Sequence, residues 1–255
     1  MLEARGISKF YGSVPAVQDV SFRVAAGDVL GYLGPNGSGK STTVKMLIGL
    51  LQPNFGEVLF RGSNIQNDLV DYRKRLGYVP EEANLYQHLT AHEYIEMVGT
   101  LRGMSPPVVE KRSSRLLDLL ALGPHKHIQM ASYSKGMRQR VLLISAIIDN
   151  PDVLILDEPL SGLDVISAMV MKNLIQILSG SGKFIFYCSH VLEVVEKVCT
   201  QLIVLRKGQV VQHGSTEDVL QQIGQSTLEK AFVQLVEDRD AGRIAADLAA
   251  EMMAR

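Results

Sequence analysis

Residues 34 to 42 read GPNGSGKST: a glycine, four residues, then glycine, lysine and a hydroxyl side chain. That spacing suits one kind of chemistry, the binding of chained phosphates together with a divalent cation. Glycines let successive backbone N–H groups curl around phosphate oxygens, Lys40 reaches the β- and γ-phosphates, and Ser41 offers its hydroxyl to Mg2+. Gly34, Pro35, Asn36, Gly37, Ser38, Gly39, Lys40, Ser41 and Thr42 are therefore the first candidates for contact with a nucleotide. A glycine-rich turn that merely caps a helix is the plain alternative. The apolar run Val29-Leu30-Gly31-Tyr32-Leu33 before the loop and the helical segment Thr43 to Leu51 after it favour the cradle. Strand, glycine loop and helix is the order that a phosphate-binding unit requires.

A pair of carboxylates completes the set. Val153-Leu154-Ile155-Leu156 reads as a buried strand that ends in Asp157 and Glu158, where a further Mg2+ contact and a general base are wanted. Acidic pairs at strand ends are also ordinary solvated turns, and alone this pair decides nothing. With the loop at 34–42 it supplies the second half of one metal site.

Placing these groups takes alternating strands and helices. Leu2 to Val24 reads as two β segments around Tyr11-Gly12-Ser13, and further strands are expected at Glu57 to Phe60, Arg75 to Val79, Phe184 to Cys188 and Leu202 to Leu205. From about Leu85 to Asn150 the pattern turns helical, with Leu116, Leu117, Leu119, Leu120 and then Val141 to Ile148, and another helix is expected near Val165 to Leu178. The expected fold is α/β: a mostly parallel sheet, an antiparallel N-terminal β portion and an inserted α-helical subdomain. The expected division is a core at 1–84 and 151–215, a helical subdomain at 85–150 and a helical C-terminal tail at 216–255, Ala-rich from Ala241 to Arg255.

Composition limits the partners. The 26 basic and 27 acidic side chains nearly cancel, so no global field draws the protein to nucleic acid or to an anionic membrane. The longest apolar stretch, Val141 to Ile148, falls well short of the roughly 18 residues that a spanning helix needs. The opening MLEARGISKF carries charges where a signal peptide needs an apolar run, and Cys188 and Cys199 are the only cysteines. A reducing cytosol with both thiols free is the expectation.

Tyr133-Ser134-Lys135-Gly136-Met137-Arg138-Gln139-Arg140, just ahead of a helix and of the Asp157-Glu158 strand, resembles the signature of the ATP-binding cassette family. The resemblance extends from about Leu2 to Phe232. It implies a P-loop ATPase core in which Tyr11 stacks on adenine, the Ser161-Gly162-Leu163-Asp164 loop communicates across a dimer, and His190 contacts the γ-phosphate. In this family two copies face each other head to tail, so that Ser134 and the N–H of Gly136 would touch the γ-phosphate of ATP held by a second copy or a paralogous subunit. Glu158 would polarise the attacking water, with Lys40, Mg2+ and His190 stabilising phosphoryl charge. The resemblance further implies a separate transmembrane permease as partner, met at the groove near Glu82, Leu85 and Tyr86, and a place on the cytoplasmic face of the membrane. Each feature also has a plain reading: Ser134 as a helix cap, Tyr11 and Asp164 as turn residues, His190 as a structural histidine.

Two positions depart from the family pattern. The usual signature is Leu-Ser-Gly-Gly-Gln, whereas Lys135 stands for the first glycine and Met137 for the glutamine; Lys135 either adds charge near the phosphates or points to solvent. Glu81, in Gly77-Tyr78-Val79-Pro80-Glu81-Glu82, stands where the family usually carries a Mg2+-sensing glutamine, which makes it either a metal ligand or a solvated side chain. Both departures resemble the efflux-type branch. A soluble cassette ATPase acting on ribosomes or DNA is the competing reading. It is disfavoured because those members usually carry two cassettes or a long coiled coil, and no nucleic acid partner is expected. A nucleotide kinase or GTPase would share the phosphate loop but not the signature.

Overall fold

The computed structural model describes residues 1–236, 248–249 and 251–253. Two sheets carry the architecture. Strands β1 (Leu2–Tyr11), β2 (Val14–Val24), β4 (Phe55–Phe60) and β5 (Ser63–Asn64) form an antiparallel sheet in the order β2-β1-β4-β5. A six-stranded sheet of β3 (Val29–Leu33), β6 (Leu76–Val79), β7 (Val153–Asp157), β8 (Phe184–Cys188), β9 (Gln201–Arg206) and β10 (Gln209–Ser215) runs in the order β10-β9-β3-β8-β7-β6. All its pairings are parallel except that of β9 with β10.

The helices connect these strands. They are α1 (Lys40–Leu47), α2 (Leu69–Lys74), α3 (Ala91–Leu101), α4 (Pro106–Leu119), α5 (Lys135–Ile147), α6 (Val165–Gly180), α7 (Leu192–Val198), α8 (Thr216–Ile223) and α9 (Leu228–Val236). Helices α3 to α5 form the helical stretch between β6 and β7.

Burial on both faces explains why β3, β7 and β8 are unbroken apolar runs. Side chains alternate between the faces with the strand period of two. Phe184, Phe186 and Cys188 pack toward the antiparallel sheet and α1, while Ile185 and Tyr187 pack toward the helices. The two faces thus build two cores, one between the sheets and one under the helical stretch.

The helix after the phosphate loop runs from Lys40 to Leu47, not from Thr43 to Leu51 as the sequence suggests. Gly49 ends it by adopting the left-handed conformation, φ +70°. The Leu50 N–H then reaches the Lys45 carbonyl at 2.9 Å and the Gly49 N–H the Met46 carbonyl at 3.1 Å, the paired bonds of a Schellman stop. Strand β10 and the short helices α2 and α7 were not apparent in the sequence. β10 is an edge strand of polar and half-exposed residues, which lacks a buried run. Of the Ala-rich end expected to be helical, only Leu248, Ala249 and Glu251 to Met253 are described, and they are helical.

Candidate functional site

The C-terminal ends of β3 and β7 lie two strands apart, with β8 between them, and both feed one cavity of about 580 Å3. From the loop and α1 it is lined by Gly34, Pro35, Asn36, Gly37, Gly39, Lys40, Ser41 and Thr42, and across from them by Glu81, Asp157, Glu158 and His190. Gly39, the N-cap of α1, takes φ +108°, and a Cβ there would collide with the Ala16 carbonyl. No side chain caps α1, which leaves its first-turn N–H groups as unpaired donors at the positive end of the helix.

Lys40 Nζ folds back onto the carbonyls of Gly34, at 2.7 Å, and Pro35, at 3.0 Å. Behind the loop, the Gly208 N–H donates to the Ser38 carbonyl at 3.0 Å, and the Gln18 N–H donates to the Gly208 carbonyl at 2.8 Å. Ser38, also expected to contact the nucleotide, does not line the cavity: it is buried, and its hydroxyl lacks a hydrogen-bond partner.

Asp157 and Glu158 are both buried, so each must be held by specific partners. Burial pushes the Asp157 carboxyl up to about 6, reinforced by the negative charges of Glu81 and Glu158 and opposed by a Cys188 hydrogen bond and by Lys40. The Cys188 thiol is pushed well above its ordinary value, chiefly by burial. Glu158 sits in a left-handed conformation, φ +48°, a strain found where a fold over-determines a residue. Its N–H donates to the Cys188 carbonyl at 2.8 Å. One carboxylate oxygen accepts from Ser189 Oγ at 2.9 Å, and the other lies 2.7 Å from His190 Nδ1. The His190 side chain is 76% exposed, so it reaches from the buried carboxylate into solvent.

Ser41, Asp157 and Glu81 offer oxygen ligands only, which fits a hard cation such as Mg2+. Among the described residues no cluster of three or more His, Cys, Asp or Glu is arranged to hold a metal. Mg2+ takes one or two carboxylates and completes its shell with phosphates and water.

Four further expected contacts lie outside the cavity. Tyr11 ends β1 with 52% of its surface exposed. Ser134 caps α5, its Oγ accepting from the Met137 N–H at 3.2 Å, and Gly136 packs against the Gly162 carbonyl. Asp164 caps α6, accepting from the Ser167 N–H at 2.9 Å. Within one chain, then, the plain capping role of Ser134 is realised, and Asp164, whose plain reading is a turn residue, caps a helix as well. Lys135 is exposed, as one of its two expected roles has it, and its Nζ also donates to Ser161 Oγ at 2.7 Å, tying α5 to the 161–164 loop. At the expected permease groove, Glu82 and Tyr86 are exposed while Leu85 is buried in the helical-side core. The cavity also contains two residues that spacing gave no reason to include, Ala16 and Phe232.

A glycine cradle on a parallel sheet facing two buried carboxylates defines a phosphate-loop nucleotide-binding protein. The model of the ABC transporter family matches residues 17–161, and the chain belongs to that family. An uncharacterized ABC transporter ATP-binding protein of Nostoc is 38% identical over 81% of this chain and 62% of its own length. The linearmycin resistance ATP-binding protein LnrL of Bacillus subtilis is 32% identical over 89% of this chain and 73% of its own. Among solved structures, the ATP-binding subunit of an ABC transporter superposes with a TM-score of 0.87 at 31% identity, covering 92% of this chain and 99% of that one. A dimeric, post-hydrolysis ATP-binding cassette bound to ADP and Pi, 25% identical, has a TM-score of 0.78 over 85% of this chain and 99% of its own.

Proposed function

We propose that this chain binds and hydrolyses ATP with Mg2+ as the engine of an export system whose membrane-spanning permease is a separate chain. The observation that carries the proposal is Glu158: a buried carboxylate clamped by Ser189 and His190, beside Asp157 and across the cavity from the glycine loop. The N–H groups of the loop and Lys40 hold the phosphates. Ser41 and Asp157, with Glu81 beside them, hold Mg2+, which when bound neutralises charge on the transferring group. Glu158 accepts a proton as water attacks the γ-phosphorus and the bond to ADP breaks, while His190 orients Glu158 and meets the γ-phosphate.

Ser134, Gly136 and Asp164 serve a second copy in this reading, since they lie outside the cavity of their own chain. Head-to-tail pairing would supply them to the ATP of a second copy or a paralogous subunit, and the dimeric ADP-bound relative supports a dimer. The same reading places the chain on the cytoplasmic face through its permease, as its membership of the ABC transporter family suggests. No helix among the described residues is long and apolar enough to cross a membrane. A relative named for Nod factor export supports export as the direction. The expected division into a core at 1–84 and 151–215, a helical subdomain at 85–150 and a tail belongs to the same proposal.

Glu158→Gln tests it. The amide keeps the shape but cannot take the proton, so turnover should fall by about 100- to 10,000-fold while ATP binding persists and an ATP-held dimer accumulates. Turnover within twofold of the parent would remove Glu158 from the mechanism.

A further inference from the structure

Phosphates account for only half of a nucleotide. The cavity walls described above offer N–H groups, an ammonium, hydroxyls and carboxylates, all suited to the phosphate end and its metal. A ribose and a purine need apolar, flat surface instead. The aromatic expected to provide it, Tyr11, does not line the cavity. One carbocyclic ring does: Phe232, from the last described helix of the body.

The helix that carries the ring is anchored. Leu228, Ala231 and Val236 bury one face of α9, and Phe232 itself is partly buried against the helical-side core. The first residue of α9 is fastened to α7, where the Leu228 N–H donates to the Glu196 carboxylate at 3.1 Å. Helix α7 begins two residues after His190, so the element that carries the ring is anchored to the one that follows the histidine.

From these observations we infer that Phe232 is a nucleotide-contacting residue, giving the ATP site an apolar ring from the C-terminal segment of the same chain. The inference rests on the ATP reading above and adds to it the contact that separates a nucleotide from a bare phosphate chain. It also gives the tail a part in ligand binding.

The test compares ATP, ADP and inorganic tripolyphosphate, each with Mg2+, by titration calorimetry on the full-length parent, Phe232→Ala, Phe232→Tyr and Tyr11→Ala. Phe232→Ala should weaken ATP and ADP by about tenfold and leave tripolyphosphate unchanged, with Phe232→Tyr restoring the parent affinity. An unchanged tripolyphosphate affinity shows that the variant is folded and its cradle intact. Equal losses for all three ligands, no loss at all, or a loss confined to Tyr11→Ala would each overturn the inference. A parent that binds tripolyphosphate but not ATP or ADP overturns the inference too, and one that binds none of the three overturns the ATP reading itself.

Discussion

The two ends of the glycine-to-signature machinery are built to different standards. At the cavity, the functional groups are held by their own chain: Glu158 by Ser189 and His190, Lys40 by two loop carbonyls, Asp157 by burial beside Cys188. At Ser134 the local bonds only finish a helix and a loop, and the N-terminus of α5 does not line the nucleotide cavity. Beyond it, α6 leaves Val165, Ile166 and Met169 exposed directly after Asp164. One region is ready to bind a ligand alone. The other has a capped first turn and its surface unspent, as expected of a part that works only against a second molecule.

Paired substitutions sharpen that contrast most. Lys40→Ala should weaken ATP binding by about 10- to 100-fold, the range for losing charge-assisted bonds, because the cradle is self-contained. Ser134→Ala should change binding by the isolated chain less than about twofold while lowering turnover. Its stability should drop by about 1 kcal/mol from the lost cap. Calorimetry at low protein concentration, with ATPase rates at high concentration, checks both; a Ser134→Ala loss of binding equal to that of Lys40→Ala would erase the distinction.

Asp157 provides the next largest effect. Its carboxyl titrates near 6 in the folded chain against an ordinary 3.8, so the folded state favours the protonated form. The stability this brings is present at low pH and is lost as pH rises from about 4 to 6, leaving the metal-free protein with a buried charge above that window. Asp157→Asn should therefore stabilise the metal-free protein by about 1–3 kcal/mol at pH 8 and far less at pH 4. Urea unfolding in chelator across that range is the measurement. A gap that does not vary with pH would show that the carboxylate is not strained.

The smallest effect belongs to Glu81, which lines the cavity yet is exposed to solvent. Glu81→Gln should weaken the dependence of ATP affinity on Mg2+ by a few-fold, since a carboxylate is the harder ligand. Superimposable Mg2+ curves would leave it a solvated side chain.

Much of this was legible in the sequence because parallel strands buried on both faces are written as unbroken apolar runs, and the loop at 34–42 has a fixed spacing. Val29–Leu33, Val153–Asp157 and Phe184–Cys188 carry that signal. The stop at Gly49 was missed because apolar periodicity continues through Leu50 and Leu51 while the backbone does not. The Lys135 to Ser161 bond joins residues 26 apart, and Phe232 reaches the cavity from a helix nearly two hundred positions beyond the loop. Neither leaves a periodic or spaced pattern, since both depend on how the helices pack.

The glycine loop is also slung between the two sheets. Gly208, in the turn between β9 and β10, grips the Ser38 carbonyl with its N–H while its own carbonyl takes the Gln18 N–H of β2. The phosphate cradle therefore rides on a two-link chain with one end in each sheet. A shear between the sheets of even half an ångström has to lengthen one of those bonds or tilt the loop, and packed interiors give little slack. Filling the cradle should thus stiffen the joint between the sheets, so that amide exchange at Gly208 and Gln18, neither of which lines the cavity, becomes a gauge of whether the site is loaded.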